Sequence, residues 1–145
     1  MPYVETSIFI DDKPENVYKA ASDMESYPKY MADVESVKVI ERTENTTLSE
    51  WVSDIEGTPI YWTERDTFDR EALTISYKLT EGDLDKFEGT WVFTPSGSGT
   101  NVVLGVDFDF GIPHLEELIG PVLKTKVRDN SDMMLAGLKA LCEQK

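Results

Sequence analysis

The chain has 145 residues, 40% of them hydrophobic, and carries 28 acidic against 14 basic side chains, a formal net charge of −14. That length suits one domain with a real core, spanning residues 1–145. So acidic a surface repels nucleic-acid phosphates and anionic lipid headgroups, which argues against both as partners and otherwise serves solubility.

Tyr3 to Ile10 reads as a first strand. Asp12 can cap a helix, with Glu15 three residues on as in a capping box and Pro14 in the first turn. Val17, Ala20, Ala21 and Met24 follow at helical spacing. The Tyr27-Pro28 step ends or kinks that helix, and a short second turn runs through Tyr30 and Met31.

From Val34 to Phe110 the pattern is that of strands, first with Val37, Val39 and Glu41 alternating with Lys38, Ile40 and Arg42. Thr46–Ile55, Thr58–Asp69, Ala72–Thr80, Phe87–Thr94 and Thr100–Phe110 continue it, separated by turn chemistry such as Glu56-Gly57, Gly82-Asp83 and Ser96-Gly97-Ser98-Gly99. The short connections imply antiparallel hairpins with one buried face and one wet face.

Gly111-Ile112-Pro113 then stops the strand and starts a helix, in whose first turn Glu116 and Glu117 suit the dipole. Gly120-Pro121 should break or kink it, with Pro121 beginning a longer helix. Leu123, Val127, Asn130, Met134, Leu138 and Leu141 form one stripe that needs an apolar surface. The order is α+β: a strand, two short helices, about six more strands and a long helix. A curved antiparallel sheet of about seven strands, with the helix across its concave face, is the expected result.

The chemistry such a chain can hold is limited. One histidine and one cysteine cannot make a common zinc site, so no metal or cofactor is expected. Asp107 and Asp109 lie on the polar face of their strand, His114 sits at a helix start, and Cys142 has no histidine partner in view. A lone cysteine also points to a reducing cytoplasm, and the N-terminal residues lack the features of a secretory signal. No segment is long and apolar enough for a membrane span.

The fourth strand poses a conflict. Tyr61, Thr63, Arg65 and Thr67 share one face; Ile60, Trp62, Glu64, Asp66 and Phe68 share the other, with more large apolar groups but also two acids. A bulge could turn both Trp62 and Arg65 inward. By pattern alone Arg65 is either a surface arginine paired with an acid or a cation in a pocket. Asn130 interrupts the helix stripe, and a buried amide needs a partner from the sheet, a water or a ligand.

Four motifs carry a family resemblance: Pro14-Glu15-x-Val17-Tyr18; Asp23-Met24-Glu25-Ser26-Tyr27-Pro28; Phe87-Glu88-Gly89-Thr90-Trp91-Val92-Phe93; and Val106-Asp107-Phe108-Asp109-Phe110. The chain thereby resembles the START-like (SRPBCC) superfamily, and within it the polyketide cyclase/dehydrase branch of aromatase/cyclases and coenzyme Q-binding proteins. The resemblance implies a helix-grip fold with an apolar small molecule held between sheet and C-terminal helix. It implies a polyketide cyclase/dehydrase directing aldol closure and dehydration of a poly-β-keto chain, or alternatively a carrier of a quinone, fatty acid or other lipid. It places Arg65 in the pocket as the catalytic cation. Tyr27, Met31, Tyr61, Thr63, Phe87, Trp91, Phe93, Val106, Phe108, Asn130 and Met134 are the ligand-lining candidates, the apolar ones equally readable as core. An acyl carrier protein is the implied delivery partner, and Lys124, Lys126 and Arg128 form the dense basic stretch where it would dock.

Overall fold

The computed structural model describes residues 3–55, 58–109 and 113–144, without the side chains of residues 55, 58, 113–121 and 123. The Glu56-Gly57 turn, Phe110 and Gly111-Ile112 lie outside the described residues, as do the side chains of His114, Glu116, Glu117 and Leu123. Strand β1 (Tyr3–Ile10) leads into helix α1 (Pro14–Ser22) and a 3-10 helix (Met24–Lys29). Six strands follow: β2 (Val34–Arg42), β3 (Thr46–Ile55), β4 (Thr58–Asp69), β5 (Thr74–Gly82), β6 (Lys86–Ser96) and β7 (Gly99–Asp109). Helix α2 (Pro113–Cys142) closes the fold.

Three local expectations are corrected. The residue capping α1 is Lys13, with no side-chain cap. Asp12 instead accepts from Lys13 N and Asn16 Nδ2, so the capping box does not form. The proline rule at Tyr27-Pro28 is also softer than expected, because Pro28 sits inside the tighter 3-10 turn. Helix α2 is assigned without a break through Gly120-Pro121.

The sheet is wholly antiparallel in the order β1-β7-β6-β5-β4-β3-β2. Its inner face is built by strict alternation. Val102, Leu104, Val106 and Phe108 of β7 are buried, as are Trp91 and Phe93 of β6 and Ile75 and Tyr77 of β5. Extra residues Glu35 and Ile40 interrupt the β2–β3 register, and such bulges bend a sheet. Helix α2 lies mainly on β1, with smaller contacts to α1 and β7. Its buried residues Val127, Ser131, Leu135 and Leu138 recur at helical spacing. The core therefore sits inside the grip, where α1 adds Val17, Tyr18 and Ala21. Among the described residues, no helix is long and apolar enough to cross a membrane.

Candidate functional site

The space between sheet and α2 holds a partly open cavity lined by Trp51, Trp62, Glu64, Tyr77, Phe87, Trp91, Leu104, Val106, Val127, Asn130, Ser131 and Met134. All three tryptophans of the chain are on its wall. Trp51 and Trp62 face each other across β3 and β4 and stack at 5.5 Å between ring centroids with 12° between planes. Such a pair contributes about 1 kcal/mol beyond the area it buries. The cavity volume is about 30 Å³, room for a water molecule or two.

The conflict on β4 is resolved against Arg65. The extra residue of the β4–β5 pairing is Thr80 on β5, since Thr63 faces Glu81 while Glu64 faces Leu79. β4 itself stays regular against β3, so nothing turns Arg65 around. Trp62, Glu64 and Asp66 point inward and are buried. Arg65 lies opposite Leu48 and Lys78 on the outer face, in a shallow groove with Thr67, Ser76, Thr80 and Thr90. The arginine expected in the pocket is not there; two acids occupy that face.

The other candidates divide. Phe87, Trp91, Val106, Asn130 and Met134 line the cavity. Tyr27, Met31, Phe93 and Phe108 are fully buried core beside it: Tyr27 packs on Trp51 and Trp91, and its hydroxyl donates to Ala21 O. Tyr61 and Thr63 stand outside, Tyr61 being 54% exposed. Asn130 has its partner: its Nδ2 donates to Asp33 Oδ2, which ties the middle of α2 to the loop before β2. Asp107, as read from the sequence, lies on the outer face, where it pairs with Lys86 at 3.0 Å. Burial pushes the half-buried Cys142 thiol up to about 11, which keeps it an unreactive thiol near neutral pH.

The electrostatics of the cavity centre on the two acids. Asp66 is wholly buried, and its Oδ2 accepts from Thr47 Oγ1 at 2.8 Å and Ser49 Oγ at 2.6 Å. Ser49 also accepts from Trp51 Nε1 at 2.8 Å. Glu64 is 3% exposed, and its Oε1 accepts from Trp62 Nε1 at 2.7 Å. Burial first, and the adjoining Asp66 carboxyl second, raise Glu64 well above the usual carboxylate range, which favours its neutral form. Two buried carboxyls side by side on one strand face cannot both be ionised at low cost, which is the physical reason Glu64 is shifted toward its neutral form. Tyr77 closes the floor by donating to Gly105 O at 2.8 Å. Gly89 makes that possible, because a Cβ there would sit 1.9 Å from Gly105 O and 2.9 Å from Tyr77 Oη.

Sequence reasoning did not count Trp51, Trp62, Glu64, Tyr77, Leu104, Val127 and Ser131 among the lining candidates, although it weighed an inward Trp62 and set Val127 on the helix stripe. The signal for β4 was present: Ile60, Trp62 and Phe68 outweigh anything on the Arg65 face. The two acids obscured it, because charge is normally read as exposure.

Residues 10–135 match the family described as polyketide cyclase / dehydrase and lipid transport. The bifunctional cyclase/dehydratase of the actinorhodin polyketide synthase from Streptomyces coelicolor is 30% identical over 131 residues, 89% of this chain. The chain spans only 40% of that relative's length. The persistence and stress-resistance toxin PasT of Escherichia coli O6:H1 is 25% identical over 86% of this chain and 78% of its own. A crystal structure of a Thermus thermophilus protein superimposes with a TM-score of 0.92 at 36% identity, covering 96% of this chain and 95% of the other. With a START-like helix-grip fold and a match over most of its length, the chain belongs to the polyketide cyclase / dehydrase and lipid transport family.

Proposed function

We propose that the protein binds an apolar, carbonyl-bearing small molecule between the sheet and α2 and directs its cyclisation and dehydration. The observation that carries this reading is the aromatic cavity walled by Trp51, Trp62, Phe87 and Trp91 in a chain of this family. A poly-β-ketone is already reactive, with acidic methylenes beside electrophilic carbonyls. A protein that bends it into one shape supplies orientation worth about 7–11 kcal/mol in favourable cases. Little further equipment is needed. Substrate arriving on an acidic acyl carrier protein would meet Lys124, Lys126 and Arg128 on α2, of which Lys124 and Arg128 are exposed. Arg128 also reaches Glu5 O at 3.4 Å.

One observation favours the second reading, a carrier of a quinone or lipid. Among the described residues that line the cavity, none is cationic, so an enolate formed there has no counter-charge. The test is to incubate the protein with a poly-β-keto thioester and compare products with the spontaneous reaction by mass spectrometry. Enrichment of one cyclised, dehydrated product supports the enzyme. An unchanged product distribution, together with a quinone or lipid retained on protein purified from its host, establishes the carrier.

A further inference from the structure

The polar groups on the cavity wall are mostly committed, which limits what a ligand can find there. The Tyr77 hydroxyl donates to Gly105 O, and the Asn130 amide N–H to Asp33. The indole N–H groups of Trp51 and Trp62 are likewise committed, to Ser49 and Glu64. Among the described residues, Glu64 alone combines burial, a place on the wall and a carboxyl whose neutral form carries a movable proton. Asp66, beside it on the same face, is wholly buried, and its Oδ1 has no hydrogen-bond partner among the described donors. That orphaned buried oxygen is open to a donor on the same strand face. Thr47 and Ser49 satisfy the other Asp66 oxygen.

We infer that Glu64 is the polar anchor of the cavity, its carboxyl O–H donating a hydrogen bond to the carbonyl oxygen of a bound aromatic or enolisable ketone. The inference rests on the ligand-binding reading above and adds the chemical class the site selects. An ionised carboxylate would repel a carbonyl oxygen; a neutral one attracts it. The tryptophan faces take the ring or chain of the same ligand. The bond also withdraws electron density from the carbonyl and so acidifies the neighbouring methylene, the assistance Arg65 cannot give from the outer face. Glu64 and Trp62 are two residues apart on β4, so Trp62 Nε1–H engages one carboxyl oxygen, and the inference gives the other to the ligand.

The test uses 1-tetralone and its hydrocarbon counterpart tetralin, titrated into wild type, Glu64→Leu and Glu64→Gln. Binding is followed by calorimetry and by the Trp62 indole N–H resonance. In wild type, 1-tetralone shifts that resonance. The preference for ketone over hydrocarbon falls about tenfold in Glu64→Leu, the worth of one hydrogen bond in a dry site. Glu64→Gln, whose amide still donates, keeps the preference to within about threefold. If Glu64→Leu binds both ligands with the wild-type preference, the anchor role is overturned while ligand binding stands. Failure of wild type to bind either ligand overturns the ligand-binding reading itself, and the anchor with it.

Discussion

Replacing Asp33 by asparagine should stabilise the protein at neutral pH and not in acid. Asp33 lies in the loop before β2, is 3% exposed, accepts from Asn130 on one oxygen, and leaves the other without a partner among the described residues. Burial, against a smaller opposing effect of hydrogen bonds, lifts its carboxyl from 3.8 to about 6. The two values differ by roughly two pH units, and at about 1.36 kcal/mol per unit the buried charge costs at most about 3 kcal/mol. The sign follows from the raised value. The native state holds the Asp33 proton more tightly than the unfolded chain, so the stabilisation is complete below 3.8 and is lost as pH rises through about 6. Asparagine stays neutral throughout and keeps an oxygen for the Asn130 amide. The advantage of Asp33→Asn over wild type should therefore grow by about 2–3 kcal/mol between pH 4 and pH 7, roughly 5–10 °C in melting temperature for a chain of this size. Thermal denaturation of both proteins across that range measures it. A difference independent of pH would mean that Asp33 is not charged at a cost in the native fold, and the reasoning would fail.

Three further outcomes can be checked. Arg65→Ala should leave ketone binding unchanged and stability within about 0.5 kcal/mol, because the side chain lies on the outer face; loss of binding in a folded variant would contradict the β4 register. Gly89→Ala should destabilise by about 3 kcal/mol or more in urea unfolding, since the new methyl meets Gly105 O at 1.9 Å and β6 and β7 must part to admit it. Changing Lys124, Lys126 and Arg128 together to glutamate should slow turnover of carrier-bound substrate while sparing a free thioester; equal turnover of the carrier-bound form would remove α2 as the docking surface. That effect should weaken as salt is raised.

The architecture was readable because its signals are local and repeated. β3 and β4 have the bounds their alternation predicts, and β7 begins one residue earlier than expected, its expected end at Phe110 lying outside the described residues, since turn residues punctuate a period-two pattern. The helix stripe was half readable: Val127 and Leu138 are buried as expected, but between them the buried residues are Ser131 and Leu135, with Asn130 and Met134 half-buried beside them. The site was only half readable. Trp91, Val106, Asn130 and Met134 followed from patterns on single elements, whereas the identity of the inward acid depended on register. Whether β4 or β5 carried the extra residue decided between Arg65 and Glu64, and one residue of slip exchanges the faces of a strand. The burial of Glu64 was hidden more deeply. It depends on Asp66, Thr47, Ser49 and Trp62 converging from two strands, which no single segment announces.

The placement of β1 bears on how the protein is made. Tyr3 faces Asp107 and Ile10 faces Thr100, so the first strand synthesised pairs with the last. Helix α2, later still, rests on that same strand. A chain emerging from the ribosome can zip β2 through β7 hairpin by hairpin, because each neighbour follows in sequence. It cannot seat β1 until β7 has emerged, or close the grip until nearly all of α2 has. Until then the tryptophan-lined face is open to water and to other chains. The step that completes the cavity is thus the last and most non-local one in folding. A ligand or chaperone present at that moment meets the inner face of the sheet unobstructed, as it does not in the finished protein.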